Sequence, residues 1–136
     1  MANTPSTPLN FHLRACREGN YKLLESAFIL GGRFLGTDDS EKWYTNYLIQ
    51  LLRENPEGWT MRLRSRKLYS VSQEVYEFCE FLDHKTYGPF RGSGLVIVDT
   101  DKRWKILSYY MSCSVPNHAL EGDSLSRYLM LIKAAQ

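Results

Sequence analysis

The first third of the chain carries hydrophobic residues at helical spacing. One helix is predicted from about Pro8 to Glu18, because apolar positions recur there every three to four residues. Gly19-Asn20 interrupts this period, and a short second helix then leads into an extended stretch from Ile29 to Gly36. Residues 1–8, rich in Pro, Thr and Ser, are expected to be disordered.

A third helix is predicted from about Ser40 to Glu54. In the segment GTDDSEKW, Asp38 stands three residues before Glu41, close to a capping box in which side-chain oxygens cover free N–H groups of the first turn. The apolar stripe of this helix includes Trp43 and Tyr47, and an Asn-Pro-Glu-Gly turn ends it. Asp38 is therefore interpreted first as a helix cap.

From Trp59 onward the hydrophobic period changes to two. Candidate strands lie near 59–70, 73–84, 88–99 and 103–114, separated by short polar or Gly/Pro turns. Four successive strands predict an antiparallel meander, and helices followed by strands are typical of one α+β domain with its helices on one face of the sheet. Residues 118–136 form a C-terminal extension, in which 123–133 has the pattern of a short helix.

Two predicted strands are apolar on both faces. Residues 75–82 alternate into two half-apolar faces, and the last strand places one set of large side chains on each side: Trp104, Ile106, Ser108, Tyr110 and Ser112 on one, and Leu107, Tyr109, Met111 and Cys113 on the other. A sheet covered on one side only alternates more cleanly. Because two-fold homodimers are the commonest assembly, a homodimer through the sheet is predicted.

Charge limits the classes of partner. With 17 basic and 15 acidic residues the net charge is +2, so the field that attracts a protein to nucleic acid is nearly absent. One local exception is the row Arg62, Arg64 and Arg66, followed by Lys67, which is predicted to project from one face of a strand. This row is either a solvated face or a site for an anion or acidic partner.

The remaining composition predicts a cytoplasmic protein without a cofactor. Three cysteines show no paired spacing, and the first residues lack the apolar core of a secretory signal. No apolar run approaches the roughly 18 residues of a membrane span, so no membrane partner is expected. The scattered histidines indicate no metal site, and phosphate-loop and dinucleotide motifs are missing.

Two stretches resemble a known family. GTDDSEKW at 36–43 and GSGLVIVDTDKRWKILSYYMSCSVPN at 92–117 resemble SnoaL-like domains of the nuclear-transport-factor-2-like superfamily. That resemblance covers about Phe11 to Asn117 and implies a cone-shaped α+β barrel, in which N-terminal helices pack in the concave face of a strongly curved, mainly antiparallel sheet. It also implies an apolar cavity between them, and frequently a dimer. Relatives include ketosteroid isomerase, polyketide cyclases, dehydratases and modules without catalysis.

The resemblance to ketosteroid isomerase implies three positions for catalysis. Asp38 lies where the isomerase carries its base, His12 falls near its oxyanion tyrosine, and Ser93 or Gly94 falls near its protonated acid. Two of these three positions have lost the required chemistry. A general base at Asp38 is the alternative to the capping role.

Several other polar residues are candidates for a site. Glu80, on an aromatic strand, must face solvent, meet a partner or have its pKa shifted by burial, and His84 beside Asp83 is either an acid/base group or a surface residue. Tyr110 and Ser112 are the first choice for ligand contact, with Trp43 and Tyr47 as the opposite wall, unless these four are ordinary sheet and core residues.

The predicted function is therefore a homodimeric domain that binds a small, largely apolar molecule in its cone. The first alternative is an isomerase, cyclase or dehydratase acting on a polyketide- or steroid-like substrate, with Asp38, Glu80 or His84 as acid/base. The second is an interaction or oligomerisation module whose cavity is filled by its own side chains.

Overall fold

A computed structural model describes residues 3–37, 42–84 and 88–114. The predicted α+β class is confirmed: helices pack against a curled, mostly antiparallel sheet that is not closed. The predicted C-terminal helix lies outside the described residues. In chain order the described elements are α1 (Ser6–Glu18), α2 (Tyr21–Ala27), β1 (Phe28–Leu35), β2 (Lys42–Tyr44), α3 (Thr45–Glu54), β3 (Met61–Ser72), β4 (Val75–His84), β5 (Gly88–Val98) and β6 (Trp104–Cys113).

Helix α1 begins earlier than the sequence suggested. The expectation of disorder through residue 8 is wrong for residues 6–8, since α1 starts at Ser6 and Pro8 is buried. Pro8 lies in the first turn of α1. Backbone N–H groups there have no acceptor within the helix, so the N–H group that proline lacks costs no hydrogen bond. Further upstream, the side chain of Asn3 accepts a hydrogen bond from the backbone N–H of Trp104 at 2.6 Å, which ties the N-terminus to β6.

The break between the first two helices follows the predicted residues. Gly19 ends α1 in the left-handed conformation (φ 66°), and a side chain there would collide with the backbone of Pro56. Asn20 caps α2, because its side-chain oxygen accepts a hydrogen bond from the N–H of Leu23 at 3.1 Å.

Helix α3 begins later than predicted. Residues 42–44 form β2, an antiparallel partner of Arg33–Leu35 in β1, and the helix starts only at Thr45. The predicted start at Ser40 is therefore wrong, because pairing with the preceding strand β1 overrides the local helical pattern. Asp38 and Glu41 lie outside the described residues. Asp38 was predicted to cap a helix that begins at Ser40, whereas the observed helix begins at Thr45.

The sheet has the strand order β2-β1-β6-β5-β4-β3. Strands β3 to β6 form the predicted antiparallel meander, which is thereby confirmed. Strand β1 pairs parallel with β6, for example Phe34 with Tyr109, so the sheet is mixed. The core lies between its concave face and the helices, and its fully buried members include Leu9, Leu24, Leu52, Phe78, Val96 and Ile106.

A bulge reverses part of the predicted facing of β6. Leu95 pairs with Ser108 but Val96 pairs with Ile106, which leaves Leu107 as an extra residue. Ile106 and Tyr109 consequently lie on the same concave face, both fully buried. The prediction that Ile106 shares a face with Tyr110 and Ser112 is wrong for this reason, because the bulge shifts the alternation by one residue.

A second bulge divides the arginine row of β3. The register with β4 shifts between Leu63 and Ser65, so Arg66 pairs with Glu80 on the concave face. Arg62 and Arg64 lie on the outer face and reach Asp83 at 3.3 and 3.7 Å. The prediction of one continuous charged face is therefore wrong.

Candidate functional site

A buried polar chain crosses the concave face of the sheet. Arg66 on β3 donates through Nε to Oε2 of Glu80 on β4 at 2.7 Å, and Tyr109 on β6 donates its hydroxyl to Oε1 of Glu80 at 2.5 Å. Arg66 also donates through Nη1 to Oδ1 of Asn10 on α1 at 2.6 Å. Both carboxylate oxygens of Glu80 are thus occupied by protein donors.

Gly92 makes the bond between Tyr109 and Glu80 possible. Strand β5 separates the two residues, and Gly92 is the β5 residue directly opposite Glu80. A Cβ atom at position 92 would lie 2.2 Å from the Tyr109 hydroxyl oxygen. The glycine therefore leaves the space through which the tyrosine reaches across one strand.

The polar chain keeps Tyr109 protonated. Burial raises the pKa of the Tyr109 phenol well above its usual range, and the charge of Glu80 and the hydrogen bond to it add to this effect. Glu80 is fully buried, and the Arg66 side chain is 10% exposed, so this ion pair is largely removed from water. The arrangement fixes three strands and one helix around a single carboxylate.

His12 on α1 lies beside this buried polar chain, and its imidazole is neutral. Its ring centroid is 4.6 Å from that of Tyr109 and 5.6 Å from that of Phe28. Burial lowers the pKa of the imidazole to about 4, with a smaller contribution from the charge of Arg66. Nδ1 of His12 is buried and has no hydrogen-bond partner among the described residues.

A cavity of about 140 Å³ lies next to His12, between the helices and the sheet. Its walls are otherwise apolar or weakly polar, and among the described residues no charged side chain lines them. Burial raises the pKa of the Cys16 thiol to about 12, so this wall residue is uncharged as well. The lining residues include His12, Cys16, Phe34, Leu48, Trp59 and Met111.

Only some of the predicted site residues meet at this cavity. His12 lines it, and Glu80 is linked to His12 indirectly, through Tyr109. Asp38 lies outside the described residues, as do the side chains of Trp43 and Tyr47. Ser93 and Gly94 lie on β5, along a groove on the outer face.

His84 and Asp83 are not arranged as an acid/base pair. Asp83 points to the outer face, where it meets Arg62 and Arg64. The imidazole of His84 packs edge-on against Phe90 with ring centroids 6.3 Å apart, and partial burial lowers its pKa. Adjacent strand residues face opposite sides of the sheet, which explains the separation.

Tyr110 and Ser112 lie on the outer face, opposite the cavity. Tyr110 is 37% exposed and pairs with Ser93, while Ser112 pairs with Arg91. The structure therefore does not bring them to the same wall as His12. Tyr110 instead lines an open groove of about 510 Å³, together with Arg33, Glu77, Cys79, Arg91 and Leu95.

The sequence reasoning missed Arg66 and Tyr109 as site residues. Arg66 was predicted as part of a row that is either a solvated face or a site for an anion or acidic partner, and Tyr109 was one of two adjacent tyrosines on β6. The signal for Tyr109 was the glycine pair Gly92 and Gly94 on the neighbouring strand, since glycines in a strand mark a close approach by another group.

Helices in the concave face of a curled sheet define a nuclear-transport-factor-2-like, cystatin-like fold. The chain belongs to the SnoaL-like domain family, whose sequence profile matches residues 9–116. No curated protein matches its sequence significantly.

Solved structures share the fold at low sequence identity. An uncharacterised protein with a cystatin-like fold from Caulobacter vibrioides is 10% identical, covers 89% of this chain and 94% of its own, and has a TM-score of 0.71. A ketosteroid isomerase-like protein from Erwinia carotovora atroseptica is 13% identical over 82% and 94% of the two chains, with a TM-score of 0.61. A protein proposed to be a Ca/calmodulin-dependent kinase II association domain, from Exiguobacterium sibiricum, is 14% identical over 82% and 92%, with a TM-score of 0.66.

Neither a membrane-spanning helix nor a metal-binding cluster occurs within residues 3–37, 42–84 and 88–114. No described helix combines the length and the apolar character that crossing a bilayer requires. Within the same ranges, no three His, Cys, Asp or Glu side chains are grouped so that they could hold a metal ion.

Proposed function

We propose that this SnoaL-like domain binds a small, largely apolar molecule in the cavity beside His12. The observation that carries the proposal is an apolar space of about 140 Å³ with one buried polar residue in its wall. Apolar cavities of roughly 150 Å³ in other proteins remain dry and take up benzene. A ligand of about one ring in size therefore fits the described cavity.

An acid/base enzyme has less support. Glu80 does not line the cavity, and its two oxygens already accept hydrogen bonds from Arg66 and Tyr109. A general base needs a free lone pair within reach of the substrate proton. The likeness to a ketosteroid isomerase-like protein supports the fold and adds no catalytic group here.

Two measurements test ligand binding. Native mass spectrometry of the purified chain reports any small molecule carried with it, and NMR titration with toluene reports whether the cavity takes up an apolar ring. Leu48→Phe, which fills the cavity, is expected to weaken toluene binding at least tenfold, whereas the control Leu68→Phe, on an inner wall outside the cavity, leaves it within about threefold. A wild-type chain that carries nothing and shows no toluene-dependent shifts contradicts the proposal.

We further propose a homodimer through the outer face of the sheet. The helices pack on the concave side, while Tyr69 (52% exposed) and Tyr110 remain on the outer face together with Leu95. Arg33, Arg91 and Glu77 in the same groove have no ion-pair partner among the described residues, and groups of both signs allow the face to complement a second copy of itself. A single-subunit mass in light scattering at micromolar concentration would contradict this dimer.

We infer a cytoplasmic setting for the domain. Cys16, Cys79 and Cys113 are free thiols, which a reducing compartment maintains. Fractionation of cells that express the tagged chain tests this location.

A further inference from the structure

We infer that two copies of this chain pack about a two-fold axis parallel to the strands, so that Arg33 of each copy forms an ion pair with Glu77 of the partner subunit. The inference rests on the proposed dimer through the outer face and specifies how the two sheets are oriented. It depends on one row of paired residues that crosses four strands of the sheet.

The two charges lie at opposite ends of this row. Arg33 on β1 pairs with Ser108 on β6. Leu95 on β5 pairs with Ser108 on one side and with Glu77 of β4 on the other. Neighbouring strands are about 4.8 Å apart, so three spacings place the ends of the row roughly 14 Å from each other. Both end residues are exposed, line the outer groove and have no ion-pair partner among the described residues.

One orientation of a second copy brings these unlike charges together. A half-turn about an axis parallel to the strands, through the middle of the row, exchanges the two ends of the row and keeps its level along the strands. Arg33 then lies opposite Glu77 of the partner subunit, and the symmetry makes this contact twice. An axis perpendicular to the strands would instead lay β1 over β1 and β4 over β4, which keeps Arg33 and Glu77 apart.

The same axis sets large side chains against small ones. Because β6 of one copy then lies over β5 of the other, Leu95 faces Ser108 of the partner subunit, and Tyr110 faces Ser93 of the partner subunit. Large and small residues at facing positions allow two sheet faces to interdigitate. Shape and charge therefore favour the same orientation.

The test reverses the charges at the two ends of the row. Arg33→Glu and Glu77→Arg each place like charges opposite one another at both contacts, and each is expected to raise the Kd of the dimer at least tenfold. An equimolar mixture of the two variants restores unlike charges at both contacts, as does the double variant. Both are expected to dimerise within about threefold of wild type in analytical ultracentrifugation.

Arg91→Glu is the matched control, because it makes the same charge change in the same groove but in another row, where Arg91 pairs with Phe81 and Ser112. It is not expected to restore association when mixed with Glu77→Arg. Restoration by Arg91→Glu, or no restoration by Arg33→Glu, overturns the inferred orientation while the outer-face dimer stands.

The remaining outcomes separate the orientation from the dimer itself. A wild-type chain that is monomeric removes both. If the wild type is a dimer that neither reversed charge weakens, only the orientation is wrong. Should a reversed variant fail to fold, Arg33→Gln and Glu77→Gln form a double-mutant cycle instead: the double variant must lose less than the sum of the two single losses, and additive losses overturn the ion pair.

Discussion

Tyr109 donates its hydroxyl to Glu80 across an intervening strand, with 2.5 Å between the two oxygens. The bond links β6 to β4 over Gly92, and Arg66 extends it to β3 and α1. Side chains thus connect strands that backbone hydrogen bonds do not join directly. The polar chain thereby fixes Tyr109, whose ring packs against His12 in the cavity wall.

Tyr109→Phe is expected to destabilise the fold by about 1–3 kcal/mol, because it leaves Oε1 of buried Glu80 without a donor while preserving the ring. Chemical denaturation measures this change in the free energy of unfolding. The control Tyr69→Phe removes a hydroxyl from an exposed residue of β3 and is expected to change stability by less than about 0.5 kcal/mol. Equal effects of the two variants would argue against the buried bond.

Arg66→Met is expected to cost about 3–5 kcal/mol, because it leaves the carboxylate of Glu80 buried without its counter-charge. The matched control is Arg62→Met on the same strand. Arg62 is bound to Asp83 at 3.3 Å but its side chain is 79% exposed, so about 0–1 kcal/mol is expected there. Urea denaturation of both variants provides the comparison, and a loss at Arg66 no larger than that at Arg62 contradicts the buried ion pair.

Acid is expected to destabilise the chain through His12. The unfolded imidazole takes up a proton near pH 6.5, whereas the folded one remains neutral until about pH 4. The unfolded state therefore binds more protons in this window, and stability falls as the pH is lowered from 6.5 to 4, by about 3 kcal/mol for this group.

The variant His12→Leu isolates this contribution. Free energies of unfolding measured at several pH values should decline less steeply below pH 6.5 in His12→Leu than in wild type. His84→Gln serves as the control, because His84 is only partly buried, and most of the wild-type slope should persist in it. Parallel profiles for wild type and His12→Leu would show that His12 is not the titrating group.

Tyr110→Lys is expected to weaken the proposed dimer at least tenfold without unfolding the chain. Tyr110 lies on the outer face, and a dimer through that face would lose the contact of the ring and would bury the new ammonium group in a groove where Arg33 and Arg91 already outnumber Glu77. Analytical ultracentrifugation gives the dissociation constants. Lys22→Glu, on the exposed side of α2, is the control for altered charge, and a Tyr110→Lys dimer as tight as wild type would exclude this face.

Local patterns were sufficient to predict most of the fold. The meander follows from period-two alternation and turn residues within β3 to β6, and the break at Gly19 follows from the need for a left-handed residue. The start of α3 was missed because residues 42–44 pair with β1, and a strand of three residues is too short to show an alternation distinct from the helical stripe that follows it.

The site was predicted less well because two bulges decide which side chains face inward. The bulge at Leu107 turns Tyr109 inward and Tyr110 outward, and the shift near Leu63 separates Arg66 from Arg62. No particular residue type marks an extra residue in a strand. The two-residue alternation alone therefore assigned some side chains to the wrong face of the sheet. For Glu80, meeting a partner was one of the options that the sequence left open, and the structure identifies Arg66 and Tyr109 as its partners.

The position of β6 has a consequence during synthesis. It is the last of the described strands to leave the ribosome, yet it lies in the middle of the sheet between β1 and β5. In a nascent chain that has not yet reached Trp104, β1 and the rest of the meander are not joined, and both have exposed edges. The contacts between β1 and β6 are distant in sequence, and such contacts form slowly. A premature stop in β6 would therefore remove the centre of the sheet and leave one truncated chain, in which β1–β2 and β3–β5 each expose an unpaired edge.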